Sequence, residues 1–275
     1  MNGAELKQKV HGGGIIYGTM LSMSRNPRWS TPMSAFGLDY VIVDTEHSPR
    51  GRDDVADFLA AFNFSGVVPI VRIPIPDSHY VTMALDAGAQ GILAPYCESV
   101  EEAKEVVSAA KWRPLKGALV RRVIETGEFP SAATKEYLEN RNRNTVCIVG
   151  IESPAGIAKL DDILKVDGID AIFVGPNDLS ICLGHPDQYD HPDYEAALRE
   201  ILSKCKAHDT PTLIHHQTIP LTQKWLREGA RFVLYSSDAR TMHNGFREEF
   251  GAIKLVGDEL GGGASEEVGE SEEVI

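Results

Sequence analysis

The stretch VCIVGIESPAGIAKLDDILKVDGIDAIFVGP, residues 146–176, holds one complete structural unit. Val146–Glu152 (VCIVGIE) is apolar nearly throughout, the pattern of a strand buried on both faces of a parallel sheet. Ser153 then supplies an N-cap and Pro154 the first helical position. Ile157, Leu160, Ile163 and Leu164 recur at helical spacing, and Gly168 follows the helix end. Ala171–Pro176 (AIFVGP) is the next buried strand.

Working outward, the same kind of run recurs at Ile15–Leu21, Tyr40–Glu46, Val68–Ile73, Gly91–Tyr96, Pro211–His216 and Phe232–Asp238. With the first two, that makes eight. Helical patterns fill the gaps. Ser99 and Glu102 form a capping box ahead of Val100, Ala103, Val106, Val107 and Ala110. Glu195–Ala207 and Gln217–Glu228 read as helices, and a last one carries Phe246, Phe250 and Ile253. Eight strands alternating with helices predict an α/β fold, a (β/α)8 TIM barrel over residues 1–257. A doubly wound sheet is the alternative, but no G-x-G-x-x-G follows a strand. Between Tyr96 and Val146 the spacing is long, which predicts a long loop at the catalytic face, a lid or a subunit contact.

The chain has 275 residues, ordinary for one such barrel, and a net charge of −13. Seven acids and no bases lie in 258–275; without those seven the charge is −6. That Gly- and Glu-rich segment predicts a solvated, mobile tail. The acidic balance argues against nucleic acid or an anionic membrane as partner. The N-terminus has no apolar signal-peptide core, and no apolar run is long enough to span a membrane. Four cysteines, at 97, 147, 182 and 205, lack metal-site spacing. Cys147 and Cys182 read as core thiols. Together these predict a cytoplasmic protein.

Barrel active sites lie at the C-terminal ends of the strands. There the chain places Asp44, Glu46 and His47; Arg72; Glu152; Asn177 and Asp178; His215 and His216; and Ser236, Ser237 and Asp238. Glu152 and Asp178 stand one βα unit apart, so neighbouring strand ends bring two carboxylates together. Two such groups repel unless protonated or bridged by a cation, and oxygen ligands suit Mg²⁺ or Mn²⁺. Capping of the following helix is the plain alternative. His47 follows an acid-rich turn that would raise its basicity; a rim histidine on a loop carbonyl is an equal reading. Arg72, inside an apolar run, needs an anion: a ligand, or an ion pair with Asp44 or Asp86. One of His215 and His216 points inward, as packing or as a reserve base.

VIVDTEHSP, PIVRIP, ALDAGAQGILAPY and GIESPAGIAKLDDILKVDGIDAIFVGPNDLSICLG, taken in order, resemble the HpcH/HpaI aldolase family. The resemblance covers roughly residues 12–255. It implies a TIM barrel of the phosphoenolpyruvate/pyruvate type and a class II aldolase, a carbon–carbon lyase. Such an enzyme cleaves a 4-hydroxy-2-oxo acid to pyruvate and an aldehyde through an enolate at a divalent cation (Mg²⁺ or Mn²⁺, with Co²⁺ as a further option). It implies Glu152 and Asp178 as metal ligands and His47 as base, with Asp44 beside it. Asp86 is implied as the acid that raises the basicity of His47, across a subunit interface. Arg72 is implied at the enolate oxygen, and Gly150, Pro176, Asn177 and Asp178 at the substrate. At Gly150 typical members carry Gln, and at Asn177 Ala. The resemblance further implies a homo-oligomer, a hexamer. Enolate chemistry of the oxaloacetate-decarboxylase or macrophomate-synthase kind is the alternative activity, and a non-catalytic 2-oxo-acid-binding barrel is the alternative of another class.

Overall fold

In a computed structural model that describes residues 1–261, eight parallel strands close into a barrel in chain order. The chain runs α1 (Gly3–His11), β1 (Ile16–Leu21), α2 (Ser30–Ala35), β2 (Tyr40–Asp44), α3 (Arg52–Asn63), β3 (Val68–Arg72), α4 (Ser78–Asp86) and β4 (Gly91–Ala94). It continues through α5 (Val100–Lys111), α6 (Gly117–Thr126), α7 (Ala132–Asn142), β5 (Val146–Gly150), α8 (Pro154–Ile163), β6 (Ala171–Val174) and α9 (Pro176–Cys182). It closes with α10 (Pro192–Ala207), β7 (Thr212–His216), α11 (Ile219–Arg227), β8 (Phe232–Ser237) and α12 (Asp238–Glu259). The eight expected strands are all present, each trimmed by a residue or two at its ends. The Ser99–Glu102 capping box and the Ser153 cap with Pro154 behind it both form. No helix among the described residues is long and apolar enough to cross a membrane.

The last helix runs through Glu259, and residues 262–275 of the acidic tail lie outside the described residues. Two expectations are corrected. The stretch between β4 and β5 is not a long loop: α5, α6 and α7 occupy most of it. Cys182 is exposed, whereas Cys97, Cys147 and Cys205 are buried. Its run, SICLG, reads as core, but α9 is short and turns Leu179 and Ser180 inward, leaving Ile181 and Cys182 outside.

Side chains alternate across each strand, and here both faces are buried. Tyr40, Ile42, Val68, Ile70, Val146, Ile148, Ala171, Phe173, Leu213, Phe232 and Leu234 fill the barrel interior. Val41, Val43, Val71, Val149, Ile172 and Val174 face the helices. Extending the interior parity to the strand ends places Asp44, Arg72, Glu152, Gly175 and His215 over the barrel mouth. The pairing of β2 with β3 sets Asp44 directly beside Arg72.

The other end is closed by α1. Leu6 and Val10 belong to the interior cluster, and Asn2 and Glu5 form a capping box that starts the helix. Deep in the barrel the Tyr40 hydroxyl donates to the Val233 carbonyl at 2.6 Å. Its ring meets Phe232 edge-on, 4.6 Å between centroids. Gly18 makes room for it, since a Cβ there would lie 2.4 Å from the ring. Leu6 is 1% exposed, so Leu6→Ala should lower unfolding free energy by about 2–5 kcal/mol, read from urea denaturation. A loss under about 1 kcal/mol would mean that α1 does not plug the barrel.

Candidate active site

The mouth carries four carboxylates and one guanidinium. Arg72 is buried and donates from Nε to Asp44 Oδ1 at 2.8 Å. Its Nη1 lies 3.0 Å from Glu46 Oε2. Among the described residues its Nη2 meets only Met20 Sδ, at 3.5 Å. The ion pair with Asp44 that sequence reasoning held open is therefore present, and Asp86 plays no part in it. Asp44 also accepts from the Glu46 amide at 3.1 Å and the Ser48 hydroxyl at 3.3 Å. Burial works upward on its pKa, but Arg72 and the Glu46 amide outweigh it and hold the carboxyl below its usual range.

Glu152 is 4% exposed and has no ion pair among the described residues. Burial above all, then the charges of Asp178 and Glu46, push its carboxyl up to about 8; Arg72 and the Tyr96 backbone oppose them. Burial also pushes Glu46 up to about 7, with Asp44 and Asp178 adding to it and Arg72 opposing. Neither Glu152 nor Asp178 caps a helix, because Ser153 caps α8 and Gly175 occupies the cap position of α9. Asp178 stands instead in the first turn of α9, where a carboxylate also favours the helix dipole. Four carboxylates against one arginine leave three uncompensated negative charges when all are ionised. This donor set of hard oxygens, two of the carboxylates buried, fits a hard divalent cation.

Two glycines shape the cradle around Glu152. A Cβ on Gly175 would stand 2.8 Å from Glu152 Cδ and 2.9 Å from Oε1. One on Gly150 would stand 3.0 Å from Glu152 Oε1 and 3.0 Å from the Ala94 carbonyl. At 150, where the resemblance expects Gln, any side chain would have to displace these neighbours by a few tenths of an ångström.

His47 is exposed at the rim. Its side chain is 46% exposed, and Nε2 lies 3.7 Å from Glu46 Oε2. Its acidic neighbour within the chain is Glu46, a residue read as a strand-end acid but given no role. The D-x-E-H spacing was the available signal. Asp86 is not beside His47. It ends α4, which runs antiparallel to β3 and so carries its last residue away from the mouth. Its carboxylate is 68% exposed and pairs with Arg113 at 3.2 Å.

Pro176 is buried and starts α9, while Asn177 and Asp178 are exposed at the mouth. The Tyr189 hydroxyl lies 2.5 Å from Asn177 Oδ1 and 2.7 Å from Asp187 Oδ1, a support that sequence reasoning missed. His215 points inward and donates from Nε2 to the Ser236 carbonyl at 3.1 Å. Burial, with Arg72 nearby, lowers its pKa to about 4. His216 points the other way, packs beside Tyr189 and Tyr194, and burial lowers it to about 3. Asp238 is spent on structure, accepting from the Ser22, Met23 and Ser24 amides, and Ser237 caps α12.

A family model described as HpcH/HpaI aldolase/citrate lyase matches residues 19–245. The 2-dehydro-3,6-dideoxy-6-sulfogluconate aldolase of Pseudomonas putida is 34% identical over 240 residues, 86% of this chain and 92% of that one. The 5-keto-4-deoxy-D-glucarate aldolase of Shigella sonnei is 32% identical over 215 residues, 78% of this chain and 82% of that one. Among solved structures, an HpcH/HpaI aldolase/citrate lyase family protein from Burkholderia cenocepacia aligns with a TM-score of 0.79 at 28% identity, over 91% of this chain and 99% of that one.

The raised carboxyls have a consequence for stability. A carboxyl whose folded pKa exceeds its unfolded value near 4.5 binds more protons when folded, so its contribution fades as pH rises. For Glu152 that contribution is complete below about 4.5 and lost through about 8. In chelator-treated protein, wild type should therefore lose stability relative to Glu152→Gln between pH 4.5 and 8, measured by urea denaturation at stepped pH. Added Mg²⁺ or Mn²⁺ should reverse the loss, since the cation displaces the proton. A difference that stays flat with pH would show that Glu152 ionises normally.

Proposed function

This chain belongs to the HpcH/HpaI aldolase/citrate lyase family and is a carbon–carbon lyase; from that premise we propose that it cleaves a 4-hydroxy-2-oxo acid to pyruvate and an aldehyde, reversibly, with a divalent cation. The observation that carries this reading is the clustering of Glu152 and Asp178 with Arg72, Asp44 and Glu46 over one barrel mouth. Sugar-acid names on the two aldolase relatives agree with that substrate class.

Glu152 and Asp178 would hold the cation, Mg²⁺ or Mn²⁺ by ligand hardness. When bound, it supplies positive charge beside the carboxylate and keto oxygens of a 2-oxo acid. The chain supplies the rest. Arg72 is fixed through Nε and Nη1, so Nη2, which faces only a thioether, is the edge free to donate to the developing enolate oxygen. His47, exposed at the rim, takes the C4 hydroxyl proton. The C3–C4 bond breaks, its electron pair passes into the enolate, and the aldehyde leaves. Proton return to C3 releases pyruvate. Gly150, Pro176 and Asn177 line the approach, and Tyr189 steadies Asn177.

Aldol cleavage needs a base at a hydroxyl, and oxaloacetate decarboxylation does not. His47→Ala should lower cleavage by about 10²–10⁴ while sparing decarboxylation. Arg72→Ala should damage both, and Arg72→Lys should not restore them, because the planar fork is lost. Pyruvate C3 proton exchange in D₂O should stop with EDTA. Equal losses in both reactions for both substitutions would overturn the role assignment. Full activity in a verified metal-free sample would overturn the cation.

We also propose a homo-oligomer, a hexamer, in which Asp86 acts on a neighbouring mouth. On α12, Phe246, Phe250 and Ile253 are each more than half exposed rather than packed on their own barrel. Burying such a stripe against a second copy removes apolar area from water. Four free thiols suit the reducing cytoplasm. Light scattering at micromolar concentration should give a multiple of the 30.1 kDa chain; a monomer mass would refute the oligomer.

A further inference from the structure

We propose a second cation site, of different chemistry, on the segment that joins α9 to α10. His185, His191 and Asp193 each turn one ligand atom toward the others, all within 4.8 Å. His185 Nε2 lies 3.1 Å from Asp193 Oδ2, and His191 Nδ1 lies 3.7 Å from the same oxygen. Bonds of about 2.0–2.2 Å to a tetrahedral ion put neighbouring ligand atoms about 3.3–3.6 Å apart. The two observed edges bracket that spacing. Two imidazoles and one carboxylate form a borderline donor set, which selects Zn²⁺ or Co²⁺ over Mg²⁺. The all-carboxylate mouth has the opposite preference. The site does not depend on the proposed reaction.

The backbone holds the cluster together before any ion arrives. Gly184 turns the chain at a positive φ of 82°. The His185 amide donates to the Ser180 carbonyl at 2.9 Å, Gln188 to His185 at 3.1 Å, and His191 to Gln188 at 3.0 Å. This tight turn brings the two rings into a stack with centroids 3.4 Å apart. Lone pairs lie in the ring planes, so one ring must rotate about its Cβ–Cγ bond to share an ion. Both rings are only partly buried and Asp193 is exposed, which leaves room for that rotation and for a water as fourth ligand. His191 Nδ1 now accepts the Asp193 amide at 3.2 Å as the cap of α10. Ligation through Nδ1 would exchange this cap for a metal bond. The same turn carries Tyr189, so an occupied site would stiffen the support under Asn177.

The test uses full-length, chelator-stripped protein held in excess Mg²⁺ to occupy the mouth. Titration with Zn²⁺ by calorimetry should show one added site per chain. Titration with Co²⁺ should show the visible absorption of a four-coordinate ion. His185→Ala and Asp193→Asn, which leave the His191 cap in place, should each weaken Zn²⁺ binding on the order of 100-fold, since removing a ligand costs at least as much as removing its outer support. Glu152→Gln should leave Zn²⁺ binding unchanged. No Zn²⁺ binding in excess Mg²⁺, equal affinity in wild type and His185→Ala, or loss of Zn²⁺ binding in Glu152→Gln would each overturn the site. The last outcome would assign the ion to the mouth while leaving the proposed reaction standing.

Discussion

A buried guanidinium shared between two carboxylates organises the barrel mouth. Arg72 enters the interior at the end of β3, where every preceding inward residue is apolar. An arginine there is tolerated only with partners, and the β2–β3 register delivers Asp44 beside it. Glu46, two residues on, takes a second edge. A buried ion pair of this kind contributes little net stability, because desolvation offsets the Coulomb attraction. What it does provide is orientation. With Nε and Nη1 committed, the guanidinium plane is fixed and Nη2 is the edge left over.

The remaining carboxylates are arranged around that fixed charge but are not neutralised by it. Arg72 opposes the upward shift at Glu152 without cancelling it, because burial and Asp178 act more strongly. Glycines at 150 and 175 hold this acid in place by leaving no side chain where its carboxyl must sit. The mouth is thus a cluster of carboxylates, two of them held protonated more easily than usual, with one fixed donor and one exposed histidine at its edge. Such a surface suits a cation and a small anionic substrate together, and either alone less well.

A division of labour runs along the barrel axis. The closed end uses Leu6, Val10, Tyr40 and Phe232 for packing, and the Tyr40 hydroxyl finds a backbone carbonyl. The open end gives up packing for charge. The segment after α9 adds a third region, where histidines rather than carboxylates collect. Under the two proposals above, carboxylate oxygens at one place and imidazoles at another would sort two cations by chemistry.

Much of this was legible in the sequence, for identifiable reasons. Apolar runs at one βα spacing can be read without structure, because strands buried on both faces leave continuous hydrophobic signatures. The capping box at Ser99 and the Ser153-Pro154 start are local, and both formed as expected. Asp44, Arg72, Glu152 and Asp178 stand out in the sequence because they interrupt, end or closely follow those runs. What depended on contacts between distant elements was not legible. Only the folded register decided that Arg72 pairs with Asp44 and Glu46 and not with Asp86. Only packing decided that Cys182 faces out, since a short amphipathic turn and a core turn share one composition. The plug formed by α1, the need for glycine beside Glu152, and the meeting of His185, His191 and Asp193 all rest on distances that a one-dimensional pattern does not carry. Sequence determined which residues interrupt the apolar pattern; tertiary structure decided which of them face one another, because a close contact depends on where the barrel returns the chain.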